Sequence, residues 1–141
     1  MLSAMGRDGG IVLESPYYVI EVVASGRVIK ITRKAHPFES QEAVDQACNP
    51  VQDALDRLGR TTHVLLIDTR EAVGRNDPEY ERWFEYHRRK MLVGFPAVAL
   101  LVKTVVGKMH VDRLLEQDDA RRTVRVFTDE GLAIDYLWSV R

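Results

Sequence analysis

The sequence has one cysteine, Cys48, no paired metal-ligand spacing and no apolar run longer than a strand, and each absence removes a class of function. A lone thiol cannot form an intrachain disulfide, and its place on an apolar helical stripe reads as a buried structural side chain rather than a nucleophile. His36, His63, His87 and His110 are dispersed, with no His-x-x-x-His or Cys/His pattern, so neither a metal centre nor a cofactor is expected. A Gly-x-Ser-x-Gly elbow and a Gly-rich phosphate cradle are both missing. The longest apolar stretches are too short to cross a bilayer, which points away from integral membrane association. Charge of one sign is missing too: 20 Lys plus Arg stand against 21 Asp plus Glu, a formal net charge of -1 that offers nucleic acid no global attraction. Residues 1 to 14 carry Gly6, Gly9 and Gly10 among charges but no apolar run of signal-peptide length. They read as a flexible lead, and a reducing cytoplasm is the expected compartment.

What is there suits one domain over residues 15–141: a 141-residue chain, 45% hydrophobic and 29% charged, long enough to bury a core without staples. Tyr17 to Ala24 and Arg27 to Arg33 are β-rich runs around Ser25-Gly26, which predicts a hairpin with a two-residue turn. In the second run Val28 and Lys30 fall on one face, Ile29 and Ile31 on the other. Ser40 is a candidate N-cap, followed by Val44, Ala47, Cys48, Val51, Ala54, Leu55 and Leu58 at helical spacing, with Gly59 at the end. Asn49-Pro50 lies inside that pattern without disturbing its phase. One kinked helix is expected, the alternative being two helices with Pro50 opening the second.

Val64 to Ile67 is continuously apolar, as in a strand buried on both faces at the middle of a sheet. Asp77-Pro78 then opens a helix with Tyr80, Trp83, Phe84, His87 and Met91 along one side and Tyr86 pointing elsewhere, closed by Gly94. Ala97 to Val102 is a further apolar strand, and Met109 to Gln117 a short helix with Val111, Leu114 and Leu115 inward. Thr123 to Phe127 is a fifth strand, and Thr128 caps a last helix that turns Leu132, Ala133, Tyr136 and Leu137 inward. The order β-β-α-β-α-β-α-β-α predicts an α/β fold, a mostly parallel five-stranded sheet with a leading antiparallel hairpin.

The stretch His63 to Glu79 is where such a domain would carry a site, because ligands of open α/β sheets bind outside the carboxyl ends of the strands. Asp68 and Asp77 could pair for acid–base work or hold a cation, but no third ligand or histidine accompanies them. Capping of the helix by Asp77 and bonding of loop amides by Asp68 is the plainer account. Arg70, Arg75 and Asn76 could meet an anion beside a helix start, with Gly74 as the loop's one glycine. The basic runs His87-Arg88-Arg89-Lys90 and Arg121-Arg122, with Arg125, fit charge placed near helix ends.

This order, together with Val64-Leu-Leu-Ile-Asp68, Ala97-Val-Ala-Leu-Leu-Val102 and Arg125-Val-Phe-Thr-Asp-Glu-Gly-Leu-Ala-Ile-Asp-Tyr-Leu137, resembles the SpoIIAA-like superfamily of STAS domains, in its bacterial STAS/SEC14-like branch. The resemblance covers residues 17 to 138 and implies a SpoIIAA-like fold. In anti-sigma-factor antagonists of that family the helix after the central strand starts with a phosphorylatable serine. Here Asn76-Asp77-Pro78-Glu79 stands at that place, so the phosphoswitch does not carry over.

The leading expectation is a non-enzymatic regulatory or protein-binding module. It would meet an unidentified protein partner through Asp68, Thr69, Arg70, Arg75, Asn76, Asp77 and Glu79. Surplus aromatic surface on the following helix also admits a homodimer. The SEC14-like resemblance implies an alternative, a carrier of a small apolar, lipid-like ligand, for which a deep apolar pocket would be the deciding feature. An enzyme using Asp68 and Asp77 is the third reading, and it requires their carboxylates to converge in a cleft.

Overall fold

The computed structural model describes residues 10–72, 78–117 and 123–140, apart from the side chains of Leu114 and Gln117. Its sheet has six strands, β1 (Gly10–Glu14), β2 (Tyr18–Val23), β3 (Val28–Arg33), β4 (Val64–Asp68), β5 (Val98–Leu101) and β6 (Val124–Phe127), lying side by side in chain order. β1, β2 and β3 pair antiparallel, and β3 through β6 pair parallel. Helices α1 (Gln41–Leu58), α2 (Pro78–Leu92) and α3 (Val105–Gln117) are the crossovers, and α4 (Glu130–Ser139) follows the last strand.

Strand alternation divides the core into two layers. Ile29, Ile31, Leu65, Ile67, Val98, Leu100, Val124 and Val126 point toward α1, α2 and α3. Val28, Val64, Leu66, Ala99 and Leu101 point the other way, where Ala133 and Leu137 of α4 cover them. Every residue of β4 is buried, as its unbroken apolar run predicts for a central strand. α1 begins at Ser40, whose side chain accepts from the Ala43 amide, and continues as one helix through Pro50. Its inward stripe of Val44, Ala47, Cys48, Val51, Ala54 and Leu55 outweighs the donor lost at the proline.

Several expectations change. Gly10–Glu14, assigned to a flexible lead, is an edge strand paired with Val19–Val22, so the sheet has six strands rather than five. Its pairing partner makes it a strand; five residues beside glycines carry little signal of their own. The hairpin turn is longer than two residues, because Val23 pairs with Val28 and Ala24, Ser25 and Gly26 all take positive φ. α3 starts at Val105 rather than Met109, since the Thr104 hydroxyl accepts from the Gly107 amide and secures a turn that two valines and a glycine disfavour. Asp129, and not Thr128, caps α4, accepting from the amides of Gly131 and Leu132. Leu132 is exposed, because the inward arc of α4 centres on Ala133 and Leu137.

Candidate functional site

Asp68 ends β4 in the register of Leu66 and therefore projects toward α4. Its Oδ1 accepts from the backbone N–H and the Nε of Arg70, both at 3.0 Å, and its Oδ2 accepts from Arg70 Nη2 at 2.8 Å. Arg70 Nη2 also reaches Glu130 at 3.0 Å, and Glu130 takes Lys30 at 3.4 Å. Burial alone would raise the Asp68 carboxyl. The hydrogen bonds and charge of Arg70, with help from Lys30, outweigh it and hold the group below its usual range. Asp68 is thus an ionised anchor that folds the loop back on β4 and ties it to the first turn of α4. Its lone pairs are directed at Arg70, which is the loop-bonding role and not that of a base.

Thr69 follows Asp68 and leaves on the opposite side of the sheet. Its hydroxyl donates to the Leu101 carbonyl at 2.9 Å, and the residue lines a cavity on the α2–α3 side. Glu79 is exposed in the first turn of α2. Arg75, Asn76 and Asp77 lie outside the described residues, as do Gly74, Arg121 and Arg122. The structure therefore separates Asp68 and Arg70 from Thr69 by the thickness of the sheet. An active pair of Asp68 and Asp77 gains no support from the described geometry.

The cavity measures about 270 Å³ and was not assembled from the sequence. Ile67, Leu100 and Val102 form its floor, Tyr80, Phe84, Met91 and Leu92 of α2 one wall, and Val111 and Leu115 of α3 another. Polar groups are few: Arg33, Thr69, Glu81, Arg88 and His110, with the Tyr18 ring beside Arg33. Glu81 and Arg88 face each other across two turns of α2 at 3.7 Å. A largely apolar pocket with a few convergent polar groups is the usual form of a small-molecule site.

Arg33 is the member that sequence reasoning missed. It is 7% exposed at the end of β3, in phase with Ile29 and Ile31, and that alternation was the available signal. Its guanidinium carbon lies 4.1 Å from the centroid of the Phe38 ring and 5.5 Å from that of Tyr18. Nη1 donates to the carbonyls of Lys34 and Tyr17. Cys48 packs beneath, 3.7 Å from the Tyr18 hydroxyl, and burial pushes its thiol up to about 12, as suits a structural thiol.

Among the described residues no group of three or more His, Cys, Asp or Glu could hold a metal ion, and no helix is long and apolar enough to cross a membrane. No family model matches the chain, and no curated protein matches it. A solved structure does. It is an uncharacterized protein of the DUF3478 family from Shewanella loihica PV-4, described as having a SpoIIAA-like fold. The two share 18% identity, over 93% of this chain and 94% of that one, with a TM-score of 0.51. The chain has a SpoIIAA-like fold. At that identity the likeness establishes architecture alone, so any function of this SpoIIAA-like domain has to be argued from its own cavity and surface.

Proposed function

We propose that the protein is a non-enzymatic binding module for a small, largely apolar molecule held between the sheet and helices α2 and α3. The single observation that carries this is the cavity of about 270 Å³ walled by Tyr80, Phe84, Met91, Leu100, Val111 and Leu115. An apolar cavity of ~150 Å³ is known to accommodate benzene, so by proportion this one holds about eleven non-hydrogen atoms. The decisive test is isothermal titration calorimetry with octan-1-ol, a neutral probe of that size. Saturable binding with a negative heat-capacity change is expected, weakened at least about tenfold in Val111→Trp, whose indole fills the space. An absence of binding, or unchanged affinity in Val111→Trp, refutes the reading.

A second reading, docking of another protein, is supported by Val105, Val106 and Met109, which are exposed together at the start of α3. Exposed apolar clusters of this kind favour contact surfaces. They lie on a different element from the Asp68–Glu79 stretch that the sequence suggested for such a partner. Replacing all three by serine should abolish capture of a true partner and leave octan-1-ol binding intact.

A further inference from the structure

We infer that the ligand is an anion, an apolar monocarboxylate whose head group pairs with Arg33. This rests on the cavity being a ligand site, and adds the chemical class of what enters it. Among the described residues three charged or basic side chains are buried: Arg33, Asp68 and His87. Asp68 is answered by Arg70, and His87 is bonded to Asp45 at 2.7 Å and to Gln52 at 2.8 Å. Arg33 alone has no ion pair among the described residues. Buried charges are ordinarily paired, because an uncompensated one is costly.

The guanidinium is half used. Nη1 is bound to two backbone carbonyls, while Nε and Nη2 make no hydrogen bond among the described residues. No side-chain nitrogen or oxygen there is both fully buried and unpartnered, so these two donors keep some accessible surface, and Arg33 is one of the residues that line the cavity. Nε and Nη2 form one edge of the planar fork, the edge that grips a carboxylate with two parallel hydrogen bonds. The Phe38 ring at 4.1 Å holds the plane in place before any ligand arrives.

Charge fixes the class further. Glu81, the carboxylate on the cavity wall, is opposed by Arg88 at 3.7 Å, which leaves the charge of Arg33 in surplus. One guanidinium neutralises one negative charge, so a dianionic phosphate would bring an uncompensated charge into an apolar space. A carboxylate, singly charged above its pKa near 4–5, matches the site.

The test compares octanoate, octan-1-ol, octylamine and octyl phosphate on the wild-type protein by calorimetry at neutral pH. Octanoate should bind at least about tenfold more tightly than octan-1-ol, the worth of a charge-assisted hydrogen bond, and octylamine should bind most weakly. Arg33→Gln should bring octanoate to or below the affinity of octan-1-ol, weakening octanoate far more than octan-1-ol. Octan-1-ol binding with no preference for octanoate overturns the carboxylate assignment and leaves the apolar site standing; so does octyl phosphate binding more tightly than octanoate. Failure of all four probes removes both. Should Arg33→Gln fail to fold, the Arg33 Nε–H resonance of the wild-type protein decides. It must shift clearly further with octanoate than with octan-1-ol, and equal shifts overturn the assignment.

Discussion

Removing the Arg70 side chain should convert Asp68 from a stabilising group into a destabilising one, with a sign that pH exposes. Arg70 supplies two side-chain hydrogen bonds to Asp68 and a third contact to Glu130. In Arg70→Met the carboxylate keeps its burial and one backbone N–H but loses its counter-charge. Loss of charged hydrogen bonds costs about 1.5–3 kcal/mol each when buried. Because the Arg70 side chain is 38% exposed, solvent screens the pair, and the expected loss is about 2 kcal/mol in total at pH 7.

The wild-type Asp68 carboxyl is depressed, so its contribution is present above the ordinary value near 4 and is lost as pH falls through the lower folded value. In Arg70→Met burial is no longer outweighed, and the folded carboxyl should rise above the unfolded one. Protonation then relieves the variant, and the stability gap between the two proteins should shrink as pH falls from 7 toward 4. Urea denaturation at several pH values measures this, and an Asp68→Asn/Arg70→Met double-mutant cycle isolates the pair. A loss below about 0.5 kcal/mol at pH 7, or a gap equally large at pH 4, would refute the account of Asp68 as a structural anchor.

Three further outcomes are expected. Cys48 has its thiol raised from 9.0 to about 12, so its contribution is complete well below pH 9 and declines as pH rises toward 12; between pH 9 and 10 the decline should be about 1 kcal/mol in urea titrations. Cys48→Ala should show a smaller fall over that interval. Arg60 Nη1 donates to the carbonyls of Lys90 at 2.6 Å and Val93 at 2.8 Å, closing the end of α2, so Arg60→Ala should lose about 2 kcal/mol and Arg60→Lys should recover little of it. Pro50 is exposed inside α1, so Pro50→Ala should raise the urea midpoint by the equivalent of about 1–2 kcal/mol, the restored helix outweighing the gain in unfolded-chain freedom. No rise would mean that the helix has already absorbed the break.

The local pattern was sufficient for the elements whose cause is local. Ser40 and the stripe through Leu55 specify α1, Pro78 opens α2, and the unbroken run Val64–Ile67 marks the central strand. Alternation along β3 assigned Val28 and Ile29 to opposite layers, and the same rule places Arg33 with the core. Other features depend on neighbours far along the chain. Gly10–Glu14 becomes a strand because β2 offers it a ladder, and Leu132 is left outside because α4 seats on Ala133 and Leu137.

The candidate site divides on the same line. The sequence determined that the carboxyl end of β4 carries Asp68, Thr69 and Arg70, and that no metal-ligand or nucleophile pattern accompanies them. Only the tertiary structure decided that the sheet separates Asp68 from Thr69, that Glu130, sixty positions away, completes the Arg70 anchor, and that a cavity opens on the other side. Periodicity records which way a side chain points, but not what it meets there. Whether a buried arginine finds a carboxylate or an empty space depends on how α2 and α3 close over the sheet, and that distance is set by packing between segments that no local pattern links.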